Sequence, residues 1–323
     1  MSKPRAVVIT GLGPISAIGI GREDFHAGLL EGRQGCREPQ RLQGNWPALP
    51  QLAECLDFVV EDYLESEKTY LDRCSEFLLA SCALALEDAG LGWRELDHPR
   101  FGLSVGTAFG CLDSMHNVTA RVQAKGLRFA SPMIFTHSFA NSPASLAAIE
   151  YKIEGPVSTV TAGGTSSGDA LRYGLDLVRW GRAEVVLAGG VDVLSEALLA
   201  ALNSAGGLPT GVVPGEGACL FLLESAEHAA DRGAQVHAEL AGVGLGGYGQ
   251  EDADTAKRAA CLDAGVEPAD PWKPSASYGY AFGASLALDL AAALGEQSDQ
   301  PRLVEAVDLP SGRRAAVVIR SFS

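Results

Sequence analysis

Residues 157–190 read VSTVTAGGTSSGDALRYGLDLVRWGRAEVVLAGG, and this stretch decides the fold. Val157–Thr161 is a β-branched run of strand type. Ala162-Gly163-Gly164 breaks it with a turn. Thr165–Trp180 reads as a helix that Gly181 stops. Asp169, Arg172, Asp176 and Arg179 recur there at spacings of three, four and three, a charged stripe with ion-pair spacing. Leu171, Leu175 and Val178 supply apolar contacts elsewhere on the helix. Glu184–Ala188 is a second strand ending at Gly189-Gly190. Strand, helix and strand in this order make a βαβ unit with a parallel crossover.

The same alternation continues outward. Ala6–Thr10 is a strand ending at Gly11-Leu12-Gly13. Asp72 is placed to cap a helix over Arg73–Ala89, with Phe77, Leu78, Ala80, Leu84 and Ala85 on its apolar face and Gly90 as its stop. Phe101–Val105 is a strand, and Ser142–Lys152 a helix ending before Gly155-Pro156. Farther on, Ala218–Leu223, Val236–Val243 and Ala315–Arg320 read as strands, Asp254–Ala264 and Ala284–Leu294 as helices. This is a layered α/β protein with a loose two-fold recurrence. A boundary near Pro209–Pro214 divides it into residues 1–210 and 211–323.

Composition narrows the function classes. The chain has 323 residues, 47% hydrophobic and 20% charged, a globular balance. Forty acidic against 25 basic residues leave a formal net charge of −15. That sign excludes broad phosphate-backbone binding and an anionic membrane surface as expectations. No apolar run is long enough to span a bilayer, and Met1–Thr10 runs straight into a strand instead of a secretory segment. The seven cysteines are scattered and form no C-x-x-C pair. A cytoplasmic protein without a disulfide framework or a metal site is expected. No residue pattern asks for a cofactor.

Three motifs invite chemistry. Gly11-Leu12-Gly13-Pro14-Ile15-Ser16 begins like a dinucleotide fingerprint but lacks the third glycine, so it reads as a strand-end turn. Gly164-Thr165-Ser166-Ser167-Gly168 is a literal G-x-S-x-G between strand and helix, which makes Ser166 a candidate nucleophile of a serine hydrolase. A hydrolase needs a later acid and histidine, and only His228 and His237 follow. His228 lies in the helical surface segment Glu224–Arg232 and His237 in a strand pattern. The alternative is that Thr165, Ser166 and Ser167 satisfy open N–H groups at a helix start. His137, among the apolar residues of Phe135-Thr136-His137-Ser138-Phe139, reads as structural or solvent-facing.

Several blocks together resemble β-ketoacyl-acyl carrier protein synthases. They are Val7–Ser16; Asp72-Arg73-Cys74-Ser75 leading to Leu86-Glu87-Asp88-Ala89-Gly90-Leu91; and Gly155-Pro156 through Gly190. Pro214-Gly215-Glu216-Gly217-Ala218 with Leu222-Leu223-Glu224, and Gly279-Tyr280-Ala281-Phe282-Gly283-Ala284, complete the set. The resemblance is dense to about Gly247. It implies a thiolase-like α/β fold: two related halves in a five-layered α-β-α-β-α sandwich, the C-terminal half shortened.

The departures from that family concern its chemistry. The family's nucleophilic cysteine, activated at a helix N-terminus, falls on Gly164. Its second histidine falls on Tyr280 and its lysine on Ser275; its first histidine and its C-terminal glycine-rich loop have no counterpart. Condensation needs a thiolate to hold the acyl chain and two donors to stabilise the enolate. The resemblance therefore implies a degenerate, non-condensing synthase like a chain length factor, without catalytic residues of its own. Such a subunit pairs with an active β-ketoacyl synthase in a heterodimer and shapes its acyl channel, in polyketide, polyene or fatty-acid-like biosynthesis. Phe109, Met133, Ile134 and Phe135 fall on the channel and interface segment, and Val157, Thr159 and Thr161 on the strand that pairs across the dimer axis. An acidic acyl carrier protein would be repelled by a chain of this charge and would be reached through the partner. A non-enzymatic homodimeric scaffold is the remaining alternative.

Overall fold

The computed structural model describes residues 4–66, 68, 70–247, 254–296 and 298–322. Among them, eight long strands form one mixed sheet: β1 (Val7–Leu12), β2 (Phe101–Gly106), β3 (Val157–Val160), β4 (Val185–Asp192), β5 (Gly217–Ser225), β6 (Ala238–Leu245), β7 (Arg302–Val307) and β8 (Arg314–Arg320). Their spatial order is β7-β8-β6-β1-β5-β4-β2-β3, with a small hairpin of Ile15–Ser16 and Gly19–Ile20 attached to β5. The helices are α1 (Arg22–Leu30), α2 (Arg73–Asp88), α3 (Leu112–Lys125), α4 (Pro132–Thr136), α5 (Ser142–Glu150), α6 (Ser166–Arg179), α7 (Glu196–Ser204), α8 (Ala226–Asp231), α9 (Thr255–Ala264) and α10 (Ser285–Leu294).

The 157–190 unit forms as expected, with one refinement. β3 and β4 are both parallel to β2, which lies between them. β4 also runs through Gly189-Gly190 to Asp192, because its partner β5 continues the ladder to Gly217. The Asp72 carboxylate caps α2 by accepting from the Cys74 N–H at 3.0 Å. The charged stripe of α6 behaves differently from its spacing. Only Arg172–Asp176 pairs within the helix, at 2.9 Å. Arg179 reaches Asp263 of α9 at 2.7 Å, and Asp169 binds Arg313 beyond β7. α1, α3, α7 and β7 were not legible in the sequence. α3 shows why: only Ser114 and Val118 of its residues are buried, too few to mark a helical period.

The recurrence has a concrete form. β1, β5 and β4 lie side by side with β5 antiparallel to both neighbours; β6, β8 and β7 repeat this with β8 antiparallel. α2 follows β1 as α9 follows β6, and α6 precedes β4 as α10 precedes β7. The two sets join where β1 pairs antiparallel with β6. The first set adds β2 and β3 at its outer side; among the described residues the second has no counterpart to them.

Three cores separate the layers. Leu171 and Leu175 of α6 and Leu286 and Leu290 of α10 are buried together between strands of both sets. Phe77 and Leu78 of α2 cover the outer face of the first set, and Ala256 and Ala260 of α9 that of the second. The order is thus helix, sheet, helix, sheet, helix, with hydrogen bonds running continuously through both β layers. Among the described residues no helix is long and apolar enough to cross a membrane.

Candidate functional site

The turn from β3 into α6 is the centre of the site. Gly163 sits at φ 61° and Gly164 follows, buried. A Cβ on Gly164 would stand 2.1 Å from the Tyr280 hydroxyl, well inside contact distance. Residues 164 and 280, which the resemblance makes degenerate catalytic positions, are therefore in contact, and the tyrosine fills the volume that a side chain at 164 would need. The Tyr280 hydroxyl donates to the Val307 carbonyl at 3.3 Å. Burial, with the nearby Asp308 charge, raises its phenol above the ordinary range, so it stays protonated.

The backbone at this helix start is also occupied. The Gly164 N–H donates to Asp308 Oδ1 at 2.7 Å. The other Asp308 oxygen accepts from the Ser311 N–H at 3.1 Å and from the Ser311 hydroxyl. Arg313, at the far side of the same β7–β8 turn, binds Asp169 with both terminal nitrogens, at 2.5 and 2.8 Å, and also donates to Thr165 Oγ1. Asp308 thus stands just ahead of α6, near the positive end of the helix.

Asp192 at the end of β4 organises the adjoining wall. Fully buried, it accepts from Thr107 Oγ1 at 2.8 Å and from the N–H groups of Ala108, Phe109 and Gly283 at 2.7, 3.0 and 2.8 Å. Burial raises its carboxyl to about 6, against the pull of those four donors. It thereby places Phe109 beside Phe282, whose ring packs edge-on against Phe109 and Tyr280 at 5.1 Å each. Phe109 is 37% exposed, so it borders the site and is no ordinary core residue.

Ser275 is exposed at the start of a short 3-10 turn, where its Oγ accepts from the Ser277 N–H at 3.2 Å. Ser166 does not support the hydrolase alternative. It is fully buried, its Oγ accepts from the Ala162 N–H at 2.8 Å and lies 2.7 Å from the Gly163 carbonyl. His228 is bound to Glu224 and His237 to Asp88, away from it. Ser166 instead ties the turn ahead of α6, and the expectation that Thr165, Ser166 and Ser167 satisfy open helix-start N–H groups is not met: no side chain caps α6, and Ser167 Oγ has no hydrogen-bond partner among the described residues. The G-L-G turn is structural as well: Cβ atoms on Gly11 and Gly13 would lie 2.2 Å from the Ala85 and Ser81 carbonyls, so the glycines let α2 touch β1. Glu216 of the P-G-E-G-A block is a buried ion pair with Arg73 and Arg41 at 2.8 and 2.9 Å. His137 packs edge-on against Tyr70 at 5.6 Å, in keeping with a structural residue.

The opposite end of the turn faces solvent. β3 is the last strand of the sheet, bonded to β2 on one side only. Val157 is 43% exposed; Thr159 is half-buried and Thr161 exposed. Met133 (53% exposed), Ile134 and Phe135 (46%) lie on α4, with Leu127 and Phe129 also exposed just before it. Arg121, Lys125 and Arg128 are exposed on the same stretch, a cationic spot on an acidic chain. Asp308 and Arg313 were not anticipated from the sequence. Their turn of Leu309-Pro310-Ser311-Gly312 is a legible signal of a hairpin, but not of what it touches.

Residues 4–229 match the family model for the beta-ketoacyl synthase N-terminal domain. A 3-oxoacyl-[acyl-carrier-protein] synthase 2 from Synechocystis sp. is 30% identical over 264 residues, covering 75% of this chain and 62% of that protein. The tetracenomycin polyketide synthase ketoacyl synthase alpha subunit of Streptomyces glaucescens is 31% identical, covering 74% and 62%. The chain thus spans about 62% of the length of these relatives. Among solved structures, the ishigamide ketosynthase/chain length factor superposes with a TM-score of 0.89 at 23% identity, over 99% of this chain and 100% of that one. A type II polyketide acyl-carrier protein in complex with its ketosynthase gives 0.83 at 21% identity, with the same coverage.

Proposed function

This chain belongs to the β-ketoacyl synthase family, and from that premise we propose that it condenses nothing itself and instead pairs with an active β-ketoacyl synthase. In that heterodimer it shapes the partner's acyl channel, as a chain-length-factor-like subunit. The observation that carries the reading is the Tyr280 hydroxyl packed onto Gly164. A condensing enzyme needs a nucleophile at the α6 N-terminus, an open N–H for the oxyanion and donors facing the acyl carbonyl. Here the first is a glycine, the second is bonded to Asp308, and Tyr280 is turned onto the Val307 carbonyl.

The outer surface suits a partner chain. The outer edge of β3 leaves backbone groups unpaired among the described residues, and Met133 and Phe135 of α4 are exposed apolar residues. A second sheet continuing from β3 would satisfy that edge. Phe109 is then the residue to set channel depth, since a close-packed wall resists an overlong chain.

Co-expression with a neighbouring synthase, followed by size-exclusion chromatography and product mass analysis, tests this. A 1:1 complex is expected, with longer products for Phe109→Ala than for the parent. A chain that stays a homodimer beside its synthase, or that condenses acyl groups alone, refutes the reading.

A further inference from the structure

A cleft of about 510 Å³ opens between the loop Gly211–Val213 and the segment 274–280, and Ser285 and Asp289 of α10 line it. Asp289 is 8% exposed. Its Oδ1 accepts from the Tyr278 hydroxyl at 2.6 Å. Among the described residues no lysine, arginine or histidine lines the cleft. One turn earlier on the same helix face, the buried Ser285 Oγ has no hydrogen-bond partner among the described residues. The Ser275 and Ser277 hydroxyls share a 2.8 Å hydrogen bond on the same wall.

Among the described residues Asp289 has one donor, the Tyr278 hydroxyl, Ser285 Oγ has none, and no cation of the chain lines the cleft beside them. Burial raises the Asp289 carboxyl to about 7, opposed only by the Tyr278 hydrogen bond. A carboxylate so placed gains most from a compact cation that brings several N–H donors. Val212, Val213, Pro274 and the Tyr280 ring supply apolar surface beside it. In the register of the family resemblance, the family lysine would stand at Ser275, on this same wall. Serine there leaves the carboxyl without an ammonium from the chain.

We propose that this cleft is a binding site for a small primary alkylammonium ligand, its head on Asp289 and Ser285 and its alkyl part on Val212 and Val213. The cleft adjoins the Gly164 turn through Tyr280, and its lining comes from this chain alone.

Calorimetric titration and thermal shift of the full chain with butylammonium, butanol and butyrate test it. Butylammonium should bind at least about tenfold tighter than butanol, and butyrate should not bind. Asp289→Asn keeps an acceptor for Tyr278 and should weaken butylammonium about tenfold or more. Ser275→Lys should raise the Tm and abolish binding by filling the site from within, which decides the matter if Asp289→Asn does not fold. Equal binding of butanol and butylammonium, or no butylammonium binding at millimolar concentration, overturns the proposal.

Discussion

The Tyr280 hydroxyl lies 2.1 Å from where a Cβ on residue 164 would stand, so Gly164 and Tyr280 fit each other and exclude any larger residue at 164. The two positions are 116 residues apart in the chain, and each is explained by the other. A glycine at 164 is what makes room for the ring, and the ring is what fills the space that the glycine leaves.

Gly164→Cys should therefore cost stability, roughly 1–3 kcal/mol from overpacking, and yield no condensing activity. Pairing it with Tyr280→Phe, which removes the clashing hydroxyl and keeps the ring on Phe282, should return most of the lost Tm while activity stays absent, because Ser275 is unchanged and no histidine is restored. Thermal melts and an acyl-condensation assay read both. A Gly164→Cys chain as stable as the parent would contradict the packing, and turnover in it would contradict the assigned role.

Asp308→Ala should destabilise by about 0.5–2 kcal/mol, the usual cost of losing a carboxylate at a helix start. The Gly164 N–H and both Ser311 donors lose their acceptor at once. Urea denaturation would measure it, and a change near zero would mean the hairpin does not hold α6.

Stability should fall as pH rises through neutrality. Asp289 has a folded value of about 7 against an ordinary 3.8. The folded chain keeps the proton between those values while the unfolded chain releases it. Its favourable contribution is full below about pH 4, is lost as pH rises through 7 and is level above that, an effect on the order of 4 kcal/mol. Asp192, raised to about 6, acts in the same direction. The gap between Asp289→Asn and the parent, followed by urea melts from pH 5 to 8, should shift toward the variant as pH rises. Parallel curves would show that Asp289 is not the group responsible.

Neutralising Arg121, Lys125 and Arg128 together should leave the turnover of the paired complex within about twofold, since an acidic carrier is expected to dock on the catalytic partner. These are the exposed cations next to the α4 surface and hence the most sensitive place to look. A large loss of turnover, with the complex still intact by size exclusion, would move the carrier onto this subunit.

Local signals carried much of the architecture. Asp72 before an apolar helical period marked the cap of α2, and the β-branched run at 101–105 marked β2, because capping and strand patterning depend on near neighbours. That residues 164, 275 and 280 are glycine, serine and tyrosine was equally visible, as it is a matter of residue identity. α3 escaped because most of its residues face solvent, with only Ser114 and Val118 buried.

The sequence alone determined that residue 164 has no side chain and that 280 is a tyrosine. Only the tertiary structure decided that these two facts are one, and that Asp308, 144 residues downstream, takes up the N–H left at Gly164. The physical reason is range. Propensity and spacing report on a few residues along the chain, whereas steric exclusion and hydrogen-bond satisfaction are settled by whatever the sheet brings alongside, here the β7–β8 turn against the start of α6.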